Sequence, residues 1–255
     1  MFVDTHLHLS QKEGVAPSEF IRRAKDAGVS RFVVSCCDKE SIVEGIELAK
    51  EFEGIYLAVG FHPEVVAEIG EEDLLWLESL LSKKNLPIVA IGEIGLDYHW
   101  VKDNKEQQRS LFEKQLELAT RYHLPVVIHT RDAIQETYDI LSQYSLKGVI
   151  HCYSGSVEMA QRFIELGYYL GIGGVVTFSN SKLYQVVESV GLSSLLLETD
   201  SPYLAPVPYR GKTNESCYIP IIAARLASIL QVSIEEVATV TTHNAETLFD
   251  FSHHL

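Results

Sequence analysis

The sequence predicts a single α/β domain, a (β/α)8 TIM barrel with an extra C-terminal helix. Short apolar runs typical of strands alternate with longer amphipathic segments, and eight such units fill the 255 residues. No low-complexity linker or shift in composition divides the chain, so residues 1–255 are predicted to form one domain. A doubly wound open sheet is the alternative, but no GxGxxG motif follows the first strand.

The eight predicted strands are short apolar runs, and nine helical segments follow them. The strands are Phe2–His8, Arg31–Cys36, Ile55–Phe61, Ile88–Ile94, Pro125–His129, Gly148–Cys152, Tyr168–Ile172 and Ser194–Thr199. The helices are 17–28, 40–52, 71–83, 106–123, 132–143, 156–166, 181–190, 218–231 and a last one from Ser233 onward. Ser233 and Glu236 form a capping-box pattern, and Asp132 with Gln135 resembles one.

Composition limits the classes of function. The hydrophobic content of 46% supports a sizeable core, and no apolar run approaches the ~20 residues of a membrane span. The N-terminus has no basic segment before an apolar stretch, so we expect no signal peptide and a cytoplasmic location. The four cysteines show no CxxC spacing, and we expect reduced, mostly buried thiols.

The formal net charge of −14 opposes broad adhesion to nucleic acid, which requires Lys and Arg against the phosphates. A nucleic acid held at one site is still compatible with this charge. Two bound divalent cations would add four positive charges at such a site.

The first strand carries the first candidate site residues. Its alternation places Asp4, His6 and His8 on one face. Two neutral imidazoles on one face are a poor apolar surface but half of a metal site. The alternative is a surface strand whose histidines are incidental.

Other predicted strand ends also carry polar side chains. Glu93 interrupts the fourth strand, His129 and His151 end the fifth and sixth, and Glu198 and Asp200 end the eighth. In a barrel these ends meet at one mouth, where so many titratable groups must be paired or bound to metal. Six ligands exceed what one hydrolytic metal needs, so we predict two metals, with Glu93 as the bridge. The predicted ligands are His6, His8, Glu93, His129, His151 and Asp200.

An ordered series of motifs resembles the TatD family of metal-dependent deoxyribonucleases, which are TIM barrels of the amidohydrolase type. The motifs are DTHLHL (4–9), GFHPE (60–64), IGEIGLDY (91–98), LPVVIHTRDA (124–133), HCYSGS (151–156), ETDSPYL (198–204) and THNAETLF (242–249). The resemblance implies that one metal is held by His6, His8, Glu93 and Asp200, and the second by Glu93, His129 and His151.

The resemblance further implies a hydrolase that cleaves phosphodiester bonds of DNA. We expect a 3′–5′ exonuclease on single-stranded ends, acting through a water activated by two metals, with Asp200 as general base and Glu93 as the other catalytic residue. His62 and Arg210 are the predicted substrate contacts, and Glu198 is predicted either to orient a histidine or to form a cap or salt bridge. No membrane contact and no obligate protein partner are expected.

Two other functions remain open at this stage. A metal-dependent deacylase or other amide or ester hydrolase, for example on aminoacyl-tRNA, would use the same metals on a different bond. A metal-binding partner protein without catalysis is the third possibility. The metal is also open, because histidines suit Zn²⁺ whereas carboxylates and phosphate substrates suit Mg²⁺ or Mn²⁺.

Overall fold

A computed structural model describes residues 1–10, 15–100 and 103–251, and it confirms the predicted (β/α)8 barrel. One sheet contains eight strands in sequence order, and each neighbouring pair is parallel. The strands are β1 (Phe2–Leu7), β2 (Val29–Ser35), β3 (Ile55–Val59), β4 (Ile88–Asp97), β5 (Val126–Arg131), β6 (Gly148–Ile150), β7 (Tyr168–Ile172) and β8 (Leu195–Leu197).

The barrel closes where β1 meets the residues that follow β8. The amide of Asp200 donates to the carbonyl of His6 at 2.9 Å, and the amide of His8 donates to the carbonyl of Ser201 at 2.8 Å. Leu7 and Ser201 form a parallel bridge between the two segments. This seam therefore places the end of β1 directly beside Asp200.

Nine helices surround and close the barrel in the part of the chain that the structure describes. They are α1 (Pro17–Asp26), α2 (Lys39–Glu51), α3 (Glu71–Leu81), α4 (Lys105–Tyr122), α5 (Ile134–Leu141), α6 (Val157–Glu165), α7 (Leu183–Val190), α8 (Ile219–Leu230) and α9 (Ile234–Phe249). The hydroxyl of Ser233 caps α9 by accepting from the amide of Glu236 at 3.0 Å, as predicted. The cap predicted at Asp132 is wrong, because α5 begins at Ile134 and the Asp132 carboxylate contacts His99 instead.

Two apolar cores stabilise the barrel. The larger one lies between the strands and the surrounding helices. The smaller one fills the barrel interior with residues such as Val33, Val89 and Val127, and the side chains of Leu248 and Phe249 from α9 close it at the bottom. The extra C-terminal helix thus seals the end of the barrel opposite the strand carboxyl ends, where a site would lie.

Within the described ranges no single helix is long and apolar enough to cross a membrane, although one bent pair, Ser216–Leu230 with Ile234–Phe249, passes by length and composition alone.

Candidate metal centre

Glu93 lies at the centre of a cluster of histidines at the barrel mouth. Its side chain is buried, and its two oxygens face different groups of imidazoles. Oε2 lies 3.3 Å from Nε2 of His6 and 3.6 Å from Nε2 of His8. Oε1 lies 2.8 Å from Nδ1 of His129 and 3.1 Å from Nε2 of His151. The carboxylate therefore separates two sets of nitrogen donors.

Asp200 completes the set on the Oε2 side. Its Oδ1 lies 3.7 Å from Nε2 of His6 and 3.5 Å from Nε2 of His8. The backbone of Asp200 adopts a left-handed conformation with φ of 56° within the barrel seam. The structure thus brings together all six predicted ligands, whose metal-binding role stays a prediction.

Ser35 at the end of β2 orients both histidines of β1. Its hydroxyl lies 3.1 Å from Nδ1 of His6, and its carbonyl oxygen lies 3.0 Å from Nδ1 of His8. A carbonyl oxygen can only accept, so Nδ1 of His8 carries the proton and donates to it. Both Nε2 atoms then face Glu93 and Asp200, and they lie 3.4 Å apart.

Carboxylates orient the two histidines on the Oε1 side. Asp97 Oδ2 lies 3.0 Å from Nε2 of His129, and Glu198 Oε1 lies 3.4 Å from Nδ1 of His151. Such carboxylate–histidine pairs are typical of metal sites, since they fix the ring and raise its basicity. Of the two roles predicted for Glu198, its position beside His151 fits the orientation of a histidine, but Nδ1 of His151 makes no hydrogen bond among the described residues.

The carboxylate of Glu198 packs closely against the backbone of β7. A Cβ atom at Gly171 would lie 2.0 Å from Oε2 of Glu198, so only glycine fits at this position of β7. Glu198 also accepts a hydrogen bond from the amide of Cys152 at 2.6 Å. Its Oε2 has no hydrogen-bond partner among the described residues.

The donor set fits divalent cations. Four groups at the mouth each place three donor atoms within 4.8 Å of one another: His6, Glu93 and His151; His6, His8 and Asp200; His8, Cys37 and Glu93; and His62, Glu93 and His129. Burial would raise the pKa of Glu93, but the imidazoles of His151 and His6 hold this pKa well below its ordinary value. An ionised carboxylate amid imidazole nitrogens matches the ligands that Zn²⁺ and related cations use.

His62, predicted as a substrate contact, lies at the edge of this cluster. The amide of Glu64 donates to Nδ1 of His62 at 3.3 Å, which leaves the proton on Nε2. Nε2 lies 3.7 Å from Oε1 of Glu93. Burial lowers the pKa of His62 to about 4, so its ring is neutral at physiological pH. It can donate a hydrogen bond from Nε2.

One sequence interpretation differs from the structure, and another stays a prediction. The guanidinium of Arg210 is exposed and lies 4.3 Å from the ring centroid of Phe178, and its contact with phosphate stays a prediction. Asp4 does not join the cluster, because the β1–β2 register shifts between Asp4 and Leu7. Its carboxylate instead accepts from the hydroxyls of Thr199 and Ser216, each at 2.6 Å.

Sequence analysis missed three neighbours of the cluster: Ser35, Asp97 as a partner of His129, and Cys37. The thiol of Cys37 lies 4.0 Å from Oε2 of Glu93 and 3.9 Å from Nδ1 of His8. Position was a partial signal, since Ser35 and Cys37 lie at or next to the end of the predicted strand Arg31–Cys36, whereas Asp97 lies three residues beyond Ile88–Ile94.

An open cleft adjoins His129 and His151. It has a volume of about 670 Å³ and is lined by the residues that follow these histidines, Thr130–Gln135 and Cys152–Gly155, together with Tyr98, Lys105 and Glu136. At its edge the side chain of Trp100 is 63% exposed, and the guanidinium of Arg131 lies 5.1 Å from its ring centroid. The cleft thus lies next to the segments that follow His129 and His151, with an aromatic and a cationic side chain near it.

Residues 3–250 match the family model described as TatD related DNase. The chain belongs to the TatD family. A metal-dependent hydrolase of Bacillus subtilis, YabD, is 40% identical, and the match covers 98% of this chain and 99% of the relative. Membership in this family makes the chain a hydrolytic enzyme, as expected from its motifs.

Solved structures of TatD-like barrels superpose on the whole chain. The crystal structure of YjjV, a TatD homologue of Escherichia coli K12, has a TM-score of 0.91 and 32% identity, with 98% of both chains covered. An uncharacterized amidohydrolase from Saccharomyces cerevisiae has a TM-score of 0.83 at 18% identity, covering 97% of this chain and 99% of that one. The second likeness shows the fold alone.

Proposed function

We propose that this protein hydrolyses phosphodiester bonds of DNA with two divalent cations, as a 3′–5′ exonuclease on single-stranded ends. The observation that carries the proposal is the position of Glu93. Its two oxygens face separate donor sets, His6 with His8 on one side and His129 with His151 on the other. A carboxylate between two donor sets is the arrangement of a bridged two-metal site.

The chain's own residues have distinct roles in this reaction. Bound cations would lower the pKa of a water and neutralise charge on the phosphoryl oxygens. The Asp200 side chain is 15% exposed, compared with 3% for Glu93, so Asp200 reaches solvent at the mouth and accepts the proton of the attacking water. His62 donates from Nε2 to a phosphate oxygen, and Glu93 fixes the distance between the two halves of the site.

Three further observations support a nucleic acid end as the substrate. The TatD related DNase model covers nearly the whole chain. The cleft beside His129 offers Trp100 for stacking with a base and Arg131 for a phosphate, and such stacking is typical of single-strand binding. The net charge of −14 disfavours tracking along a duplex. The cytoplasmic location stays a prediction.

The decisive experiment follows single-stranded oligonucleotides labelled at either the 3′ or the 5′ end, in the presence of Mg²⁺ or Mn²⁺. We expect labelled mononucleotide early from the 3′ label and a descending ladder from the 5′ label. The Glu93→Gln variant should lose at least about 100-fold in kcat/KM, because the charge shared by both donor sets is removed. Glu188→Gln, at an exposed position of α7, is the matched control and should keep full activity.

Two results would contradict the proposal. Internal cuts without release from either end would refute the exonuclease mode. Cleavage of aminoacyl or carboxylic esters with no action on oligonucleotides would replace phosphodiester hydrolysis with deacylation. Arg210→Ala adds a specific check: its guanidinium lies over Phe178, so we expect a smaller rise in KM than for His62→Ala.

A further inference from the structure

A thiol lies beside the metal cluster, on the same side as the histidines of β1. One imidazole nitrogen of His8, Sγ of Cys37 and one carboxylate oxygen of Glu93 lie within 4.8 Å of one another. Sγ of Cys37 is 4.0 Å from Oε2 of Glu93, the oxygen that also faces His6 and His8. The sulfur is therefore part of the donor set around Oε2.

The backbone holds Cys37 in this position from both sides. Its amide donates to the hydroxyl of Ser41 at 3.0 Å, and its carbonyl accepts from the amide of His62 at 2.9 Å. The preceding carbonyl, of Cys36, accepts from the amide of Glu93 at 3.0 Å. Cys37 is thus tied directly to the segments that carry two of its neighbours in the cluster.

The other cysteines are placed differently. The thiol of Cys36 points to the opposite side, where it is buried and contacts the carbonyl of Ser41 at 3.5 Å. Among the described residues, neither Cys152 nor Cys217 belongs to a group of three possible metal donors. One thiol of four therefore faces the centre, and Cys217 offers a matched control.

We propose that Cys37 is a sulfur ligand of the cation on the Oε2 side of Glu93, and that it makes this site prefer thiophilic cations such as Zn²⁺ over Mg²⁺. Oε2 of Glu93 lies 3.6 Å from Nε2 of His8 and 4.0 Å from Sγ of Cys37, separations that one cation with ligand bonds of about 2.0–2.3 Å can span, and Sγ lies 3.9 Å from Nδ1 of His8. Binding converts the thiol into a metal-bound thiolate and releases one proton to solvent. Soft sulfur ligands select Zn²⁺ and Cd²⁺, whereas Mg²⁺ takes oxygen ligands.

This inference rests on the metal centre of the proposed function and not on DNA as its substrate. Its test is spectroscopic: the metal-free protein is loaded with Co²⁺, and the near-ultraviolet thiolate-to-cobalt charge-transfer band is recorded. We expect the band in the wild type and in Cys217→Ser, and its loss in Cys37→Ser. Zn²⁺ affinity should fall roughly tenfold or more in Cys37→Ser, while Mg²⁺ affinity stays the same.

A second variant, Cys37→Asp, keeps the inference testable if Cys37→Ser misfolds. Cys37→Asp replaces sulfur with oxygen, and we expect it to bind Mn²⁺ or Mg²⁺ more tightly relative to Zn²⁺ than the wild type does. Identical cobalt spectra in the wild type and Cys37→Ser, with equal Zn²⁺ affinity, would overturn the inference. DNA cleavage without a charge-transfer band would refute the sulfur ligand and leave the proposed function standing. A charge-transfer band without DNA cleavage would refute only the proposed function.

Discussion

The orientation of each imidazole at the barrel mouth depends on one neighbouring polar group. Ser35 contacts Nδ1 of both His6 and His8, whereas Asp97 and Glu198 contact the outer nitrogens of His129 and His151. An imidazole has two nitrogens, and the one used for metal is set by the partner of the other. These neighbours therefore determine which nitrogen of each ring faces Glu93.

At the residue scale, we predict that Glu198→Gln weakens metal binding by about 10–100-fold. The amide keeps the size of the side chain but lacks the charge that raises the basicity of His151, whose Nδ1 lies 3.4 Å from Oε1 of Glu198. Titration calorimetry with Zn²⁺ or Mn²⁺ measures the change. Saturating metal should restore kcat, because Glu198 does not touch the substrate. Equal affinities in this variant and in Glu188→Gln would rule out the positioning role.

At the scale of elements, α4 links the ends of two strands through a pair of buried glutamines. The side chain of Gln115 binds both the amide and the carbonyl of Phe61, at 2.7 and 3.0 Å. The side chain of Gln108 binds the amide and the carbonyl of Asp97, both at 2.8 Å. Seven residues apart, the two glutamines lie on one face of the helix. That face thus positions the segments next to His62 and His129.

We predict that Gln115→Leu destabilises the fold by about 1–3 kcal/mol for each backbone group of Phe61 that it leaves unpaired. Urea denaturation measures this change. Because His62 follows Phe61, KM should rise while the bound metal per chain stays the same. Gln107→Leu, at an exposed position of α4, should change stability by less than about 0.5 kcal/mol. A Gln115 variant as stable as the Gln107 control would show that these hydrogen bonds add nothing.

The seam between β1 and β8 depends on Asp4. Its carboxylate accepts from the amide and hydroxyl of Thr199, at 3.0 and 2.6 Å, and from the hydroxyl of Ser216. Burial raises the pKa of Asp4 to about 7. We predict that Asp4→Ala lowers the free energy of unfolding by about 1–3 kcal/mol, since it leaves the buried donors of Thr199 and Ser216 without their partner. Chemical denaturation checks it. Asp26→Ala, an exposed carboxylate of α1, should lose less than about 1 kcal/mol, and equal losses would disprove the seam role.

The strands, the helices and the six clustered side chains could be predicted from the sequence because each signal is local. An apolar run that ends in His129 or His151 can be recognised without its neighbours. Gln115 was missed because its partner, the backbone of Phe61, is distant in sequence. Ser35 was missed because nothing within its own strand indicates contact with the histidines of β1. The direction of the Arg210 side chain could not be predicted, because it lies in a long loop, where no periodicity fixes a side chain.

At the scale of the whole molecule, the protein concentrates buried titratable groups in an acidic chain. The net charge is −14, and the cluster gathers His6, His8, His129, His151, Glu93 and Asp200 at one end of the barrel. The apolar core beneath the cluster offers these groups neither water nor polar partners. A bound cation would satisfy them together and neutralise part of the excess negative charge. The folded state should therefore bind metal and gain stability from it.

Removal of that metal should lower the stability of the folded state. A free cation at about 100 times its dissociation constant stabilises the folded state by about 2.7 kcal/mol, if the unfolded chain does not bind it. For a domain of this size that corresponds to a rise in Tm of about 5–10 °C. Calorimetry before and after chelation measures the difference, with metal content checked by atomic absorption. Glu93→Gln should show a smaller shift, because its neutral amide cannot bridge the donor sets. An unchanged Tm after complete metal loss would mean that the fold does not depend on the centre, and that its buried histidines are satisfied by the carboxylates and Ser35 alone.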